Sequence, residues 1–320
     1  MSKAVSDRAL VHGIGARLAA LRDSDLAHAF VRSPLVVASA VALAMILLLA
    51  LLAPWVAPQD PFDPAALDLM DGKTPPMTTN AFTGHRYLLG TDDQGRDVLS
   101  VILHGSRISL LVGFASVVLS AVVGMALGVL AGYRGGVIDA LVMRLADVQL
   151  TFPSILVALM IFGVAKGFLP PQAHVDAALP VLILSLGLSG WPQYARAVRG
   201  LTLVERGKDY VSAARLIGLG PVRIMLRHIL PNVLGPVLVL STLGLAHAIV
   251  GEATLSFLGV GMPPTTPSLG TLIRVGQEYI ASGEWWILLF PALTLLALSL
   301  SVNVLGDWLR DVLDPRLGRR

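Results

Sequence analysis

Apolar residues in this chain come in long, nearly unbroken runs rather than in the alternating or one-in-three patterns of soluble elements. Leu35 to Val56 lies in a stretch with no charge between Arg32 and Asp60. Further runs extend from about Ile108 to Gly132, from Val148 to Ala165 with Pro153 inside, and from Ala177 to Trp191. The last two are Pro231 to Val250 and Trp285 to Leu305. A helix needs about 20 residues to cross a hydrocarbon layer of roughly 30 Å, whereas a membrane barrel would show alternating strands of about ten residues. These runs do not alternate. The pattern predicts an all-α membrane protein with six transmembrane helices, and the first run is too long and too late for a signal-peptide core.

Composition agrees. The 320 residues are 55% hydrophobic and 14% charged, against about 25% charged in a soluble domain, so lipid must cover surface that a polar skin would otherwise cover. The absence of cysteine excludes disulfide scaffolds, thiolate metal sites and cysteine nucleophiles.

The net charge of +3 hides an asymmetry. An even number of spans puts both termini on one side, and that side with its loops holds 18 of the 24 Lys and Arg but 10 of the 21 Asp and Glu. Seven of those cations (Arg196, Arg199, Arg206, Lys208, Arg215, Arg223 and Arg227) fall between the fourth and fifth runs. The positive-inside rule then predicts a multi-pass protein of the cytoplasmic (inner) membrane, with N- and C-termini and this basic segment cytoplasmic. Three regions follow: a cytoplasmic tail over 1–33, a first span with an outside loop over 34–106, and a five-helix core over 107–320. The tail carries Leu10, Ile14, Leu18 and Leu21 beside Arg17 and Arg22, consistent with an amphipathic surface helix, with a floppy tail as the alternative. The outside loop is rich in Pro and Asp and is expected to form a small exposed subdomain.

No catalytic, cofactor or metal site stands out. Gly72-Lys73-Thr74 ends like a phosphate loop, but Leu67 stands where the first glycine belongs. The seven histidines are scattered, without metal-ligand spacing. Gly187-Leu188-Ser189-Gly190, with His247 in another run, matches the short serine pattern of intramembrane proteases. Against that reading, Trp191-Pro192 should break the helix just after the serine, and small residues serve close helix contact. Gly124, Gly128 and Gly132 form a bare stripe at i, i+4 and i+8, a helix-packing face. Glu252 closes the fifth run and is expected either at the membrane rim or along a path through it.

The basic segment is the most informative. Tyr210, Ala213, Ala214 and Ile217 occupy i, i+3, i+4 and i+7, one apolar face of a short helix. Gly218 and Gly220 can take positive φ and end it. Pro221 can start a second short helix, and Pro231 breaks again where the fifth span begins. A face of small residues suits a protein groove better than a bilayer.

Ser212-Ala213-Ala214, three residues, Gly218, nine residues, then His228-Ile229-Leu230-Pro231 resembles the signature of permease subunits of binding-protein-dependent ABC importers. That signature reads Glu-Ala-Ala, three residues, Gly, nine residues, Ile-x-Leu-Pro. Ser212 replaces its Glu, and His228 matches the variant of the dipeptide, oligopeptide and nickel branch. Leu89 to Ser100, Gly105 to Leu110, Glu252 to Gly259 and Asn303 to Leu317 resemble the same branch, in particular its second, C-type permease. The resemblance implies a type I ABC importer permease fold, with a cytoplasmic coupling helix within about 205–230. Tyr210, Ser212, Ala213, Ala214, Ile217, Gly218, Leu230 and Pro231 would contact an ATPase. It further implies a homologous second permease, two ATPase subunits that bind the ATP and magnesium, and an extracytoplasmic substrate-binding protein. Cargo would be peptides, with nickel or another small solute as the alternative and no role for nucleic acid. A secondary transporter or the Ser189/His247 protease are the rivals outside the family.

Overall fold

Helices follow the apolar runs, but their ends fall where capping and proline chemistry put them. The computed structural model describes residues 30–63 and 67–313. The expected tail helix around Leu10 to Leu21, and the Asp314-Pro315-Arg316-Leu317 end, lie outside the described residues.

Helix α1 (Pro34–Leu51) yields at Leu52 to a single further turn, Ala53–Val56. Helix α2 (Val98–Arg134) begins well before the expected Ile108, because Asp97 caps it. The carboxylate accepts from the Ser100 amide at 2.9 Å and from its hydroxyl at 2.6 Å, satisfying donors that a helix start leaves free. The regional boundary at 106/107 therefore falls inside α2. The third run is not one straight span. It is α3 (Gly136–Leu150) and α4 (Ser154–Gly167), bent by 99° at the break where Pro153 has no N–H to continue the ladder.

Helix α5 (Ala178–Glu205) corrects another expectation, since it runs straight through Pro192. A proline strands the carbonyl four residues back, here that of Leu188. The Gln149 amide on α3 donates to the Leu188 carbonyl at 2.9 Å and to that of Ser189 at 3.1 Å, and Trp191 Nε1 donates to Gln149 Oε1 at 3.0 Å. Borrowed donors carry the helix past the proline.

Next come α6 (Asp209–Leu216), a turn at Pro221–Ile224, and a π-helical turn at Met225–Ile229. They lead into α7 (Leu230–Phe257). Pro231 sits in the first turn of α7 and does not break the chain: the widened π turn accommodates a residue with no N–H. Helix α8 (Leu269–Tyr279), capped by Ser268, was not foreseen, and α9 (Trp286–Leu313) closes the described chain.

Among the described residues, four helices are long and apolar enough to cross a membrane: α1, α2, α7 with its preceding turns, and α9. Counting the bent α3–α4 pair as one span makes five. The expected fourth span, α5, is not among them; Gln193, Arg196, Arg199 and Glu205 lie in its second half. The count of six is thus not reached on this measure.

Helix α2 is the element around which the others pack, and its most extensive partner is α5. Its buried face is small: Gly105, Ser109, Gly113, Ser116, Ser120, Gly124, Gly128 and Gly132 follow one another at three- or four-residue steps. A Cβ on Gly124 would stand 2.4 Å from Tyr194 Cβ, on Gly128 2.6 Å from the Ala195 carbonyl, and on Gly132 2.7 Å from Thr202 Cβ. Upstream, Gly113 meets Ile249 of α7, and Gly105 meets the Pro267 carbonyl ahead of α8. The opposite face presents Phe114, Val118 and Val122 outward, an apolar stripe suited to lipid.

The 57–97 segment is less exposed than its composition suggests: Asp71, Asp92 and Asp97 are buried. Asp71 accepts from Tyr87 OH at 2.7 Å, from Thr83 and from His85 Nδ1 at 3.0 Å. Burial opposes its charge, but these bonds outweigh it and hold the carboxyl below its usual range. Asp92 pairs with Arg96 at 2.7 Å, and Arg96 reaches the Pro264 carbonyl at 3.1 Å. Trp286 of α9 donates to the Thr91 carbonyl at 3.0 Å, so the segment is tied to the start of α9 and the approach to α8.

Replacing Gly128 by Val should destabilise the purified protein by about 1–3 kcal/mol or more, because backbone stands where the side chain must go. Gly163→Ala, whose Cβ meets nothing within 4 Å, should leave thermal unfolding in detergent unchanged. Equal melting of the two variants would contradict this packing.

Candidate functional site

Helix α6 is eight residues long and owes its order to its surroundings, since an isolated helix of that length is not stable in water. Val211 and Ala214 are buried against Ile224, Ile229 and Val233. Tyr210 is half-buried, whereas Ser212, Ala213, Leu216, Ile217 and Gly218 are exposed. The face expected from Tyr210, Ala213, Ala214 and Ile217 is therefore divided: two of its members turn inward and two turn outward. Val211 supplies the inward anchor that reading missed, at i, i+3 with Ala214. Ile217 lies past the last helical turn, so the helical progression does not set its direction.

The outward half is notable for chemistry. Leu216 and Ile217 are 88% and 76% exposed, two aliphatic side chains beside the small Ser212 and Ala213. Their position is fixed by the turn that follows. Gly218 takes φ +79°, its amide donates to the Arg215 carbonyl at 3.0 Å, and the Leu219 amide reaches the Ala214 carbonyl at 3.1 Å. This is a Schellman close. Gly220 has φ −65°, so one left-handed residue suffices where two were expected.

Three longer helices hold α6. The Tyr210 hydroxyl donates to Glu205 Oε2 at the end of α5 at 2.6 Å and accepts from Asn232 Nδ2 of α7 at 3.0 Å. Burial and the bond to Glu205 raise the pKa of Tyr210, keeping it a neutral donor. Asn232 also binds the His228 carbonyl at 2.7 Å. Arg215 lies 5.2 Å over the Tyr133 ring near the end of α2, and Arg206 donates to the Gly132 carbonyl at 2.8 Å. Farther along, Arg199 binds Asp139 of α3 at 2.6 Å and Arg196 binds Asp147 at 2.6 Å. Much of the positive charge of this segment is thus structural. Leu230 is half-buried at the root of α7, and Pro231 beside it is exposed.

At the other end of α7, Glu252 is closed off from solvent rather than facing water. It is fully buried, accepting from Ser109 Oγ of α2 and from Ser256 Oγ, both at 2.7 Å. Ser109 in turn accepts from the Leu269 amide at 3.2 Å. The carboxylate fastens α2, α7 and the start of α8 together.

Ser189 and His247 line one cleft of about 270 Å³ between α2, α5 and α7. Each bonds to its own helix: Ser189 Oγ donates to the Leu186 carbonyl at 2.8 Å, and His247 Nδ1 donates to that of Leu243 at 2.9 Å. Among the described residues no hydrogen bond joins the pair, so the nucleophile–base contact that a protease requires is not made.

Residues 124–319 match the family described as binding-protein-dependent transport system inner membrane component. Residues 24–76 match the N-terminal TM domain of oligopeptide transport permease C. The chain is 41% identical to the di/tripeptide transport system permease protein DppC of Pseudomonas aeruginosa over 85% of each chain. It is 38% identical to the dipeptide permease DppC of Haemophilus influenzae over 85% of this chain and 88% of that one. With the Escherichia coli K12 dipeptide permease DppC the identity is 41%, over 91% and 92%. In fold it is similar to a permease chain from inward-facing structures of the MetNI methionine ABC transporter, with a TM-score of 0.50. That match has 22% identity and covers 67% of this chain and 97% of the other.

Tyr210→Phe should loosen α6 without unfolding the protein. Loss of a bond worth about 1 kcal/mol corresponds to roughly five-fold faster amide exchange at 209–218. Exchange that stays at the wild-type rate would show that Tyr210 does not hold this helix.

Proposed function

Since the chain belongs to the binding-protein-dependent transport system inner membrane components, we propose that it is one of the two permease subunits of a peptide ABC importer. The transporting chain is not itself an enzyme; ATP and its magnesium are bound by separate ATPase subunits. The observation that carries this reading is α6, whose inner half is tied to α2, α5 and α7 while Ser212, Ala213, Leu216 and Ile217 stand free. A small, partly aliphatic knob on a stiff mount is what docking into a groove of a moving partner requires.

In this reading the basic segment places α6 and both termini in the cytoplasm, and the protein resides in the inner membrane. The 57–97 segment then faces outward, toward an extracytoplasmic binding protein that delivers the solute. Closure of two ATPases on ATP would draw each docked helix inward. Because α6 is bonded to three long helices, its displacement passes to them as rigid-body motion rather than dissipating in a loop. The paired permeases would thereby alternate between inward- and outward-open forms. Support for peptides as cargo comes from the relatives named above, which are dipeptide or di/tripeptide permeases over most of their length.

Ala213→Glu places a bulky charge on the outward face of α6 and away from the Val211 and Ala214 anchors. Peptide uptake by cells carrying this variant should fall to background, with normal amounts of the protein in the membrane and reduced recovery of ATPase subunits on purification. Wild-type uptake with wild-type assembly would refute the docking role.

A further inference from the structure

The cleft that receives Ser189 and His247 has a composition that a packing role does not explain. Its walls come from α2, α5 and α7, with Ser154 and Ile155 of α4 at one edge. Among the described residues no Asp, Glu, Lys or Arg lines it. It is instead furnished with polar groups, among them Ser116, Ser120, Ser189, Gln193, Tyr194 and His247. The serines are spoken for in part: Ser120 Oγ donates to the Gly187 carbonyl at 2.8 Å and Ser189 Oγ to that of Leu186.

Gln193 and His247 differ from the serines. Both are exposed. His247 Nδ1 carries its proton toward the Leu243 carbonyl, which leaves Nε2 as a free acceptor in the neutral ring. The Gln193 carboxamide makes no hydrogen bond among the described residues, so two donors and one acceptor remain available. An exposed amide on a helix that packs so closely elsewhere is not needed for stability. It shares the cleft with a free imidazole acceptor and supplies the donor, the two together being complementary to a peptide group, whose N–H and C=O must be bonded once water is stripped away.

We propose that Gln193 and His247 form a transit subsite that hydrogen-bonds the amide of a peptide solute as it crosses the permease. This deepens the peptide-importer reading and rests on it. The absence of formal charge suits transit, because a contact must be favourable enough to admit the solute yet weak enough to release it. One or two neutral hydrogen bonds meet that condition, whereas a charged pair would trap a zwitterion.

The test uses the complete transporter, with both permeases, ATPases and binding protein, in proteoliposomes. Uptake of radiolabelled alanyl-alanine is compared with that of alanyl-lactate, in which an ester replaces the amide, each at saturating loaded binding protein. Wild-type protein should carry the amide faster. Gln193→Ala and His247→Ala should each lower the maximal rate for alanyl-alanine by about five-fold, the loss of one hydrogen bond. Alanyl-lactate lacks the N–H but keeps the carbonyl, so its rate should change far less in His247→Ala, whereas Gln193→Ala, which loses the donor to the carbonyl, should slow both solutes. Affinity of the separate binding protein and thermal melting of the complex should stay at wild-type values. His247→Gln, which keeps an acceptor, should restore most of the amide rate.

Variants that carry both solutes at wild-type rates would overturn the subsite. So would an equal fall for amide and ester in His247→Ala, which would mark a merely structural role. Failure of the wild-type complex to take up alanyl-alanine or any other peptide would instead overturn the peptide reading on which the subsite rests.

Discussion

Close contact between α2 and its neighbours is the constraint on which the rest of the structure depends. Lipid tails are as apolar as the side chains they meet, so helices in a membrane gain little by hiding apolar surface from them and must associate through packing and hydrogen bonds. The row from Gly105 to Gly132 supplies that packing. At Gly124, Gly128 and Gly132, backbone and Cβ atoms of α5 lie where even a methyl group would collide. Large side chains are left to the outer face, at Phe114, Val118 and Val122. Along this row small and hydroxyl residues face the neighbouring helices, with Val112, Val117 and Val129 buried beside them.

Polar fasteners supplement this packing, and each answers a specific local need. Gln149 supplies donors to carbonyls in the turn of α5 that precedes Pro192. Glu252 gathers hydroxyls from α2 and α7 where these helices meet the start of α8. Asp71 and the Asp92–Arg96 pair organise the 57–97 segment from within. In a low-dielectric setting such groups are costly unless bonded, and Gln149, Glu252 and Asp71 each find at least one partner more than ten residues away.

That rigidity gives α6 its significance. A helix of eight residues would be a poor lever if it hung from flexible ends. Here Tyr210 joins Glu205 of α5 to Asn232 of α7, Arg215 covers Tyr133 of α2, and Gly218 closes the turn. Force applied to Ala213 or Ile217 reaches α2, α5 and α7, the three helices that also wall the cleft holding Gln193 and His247. The proposed drive point and the proposed solute contact thus share the same helices.

Much of this was legible in one dimension, because apolar runs, proline breaks and motif spacing are local properties. The helical class, the short helix at 209–216, the turn at Gly218 and the last three glycines of the α2 stripe could all be read directly. The start of α2 is local as well, since Asp97 caps it through Ser100 three residues on, whereas Gln149 as a donor to the turn before Pro192 acts only when distant residues are brought together. The same holds for the burial of Asp71 and Glu252, which composition alone assigns to water or to a path. Nor could α8 be foreseen, because its buried side answers to α7 and α9 rather than to lipid. On α6 the sequence spacing identified apolar positions but not their direction: the anchor Val211 and the free Ile217 are distinguished by what α7 and its preceding turns place beneath them. Sequence by itself determined that this chain belongs in a membrane and carries a short, small-faced helix between spans. Tertiary structure decided which side of that helix is held and which is offered, because direction depends on contacts that no local pattern encodes.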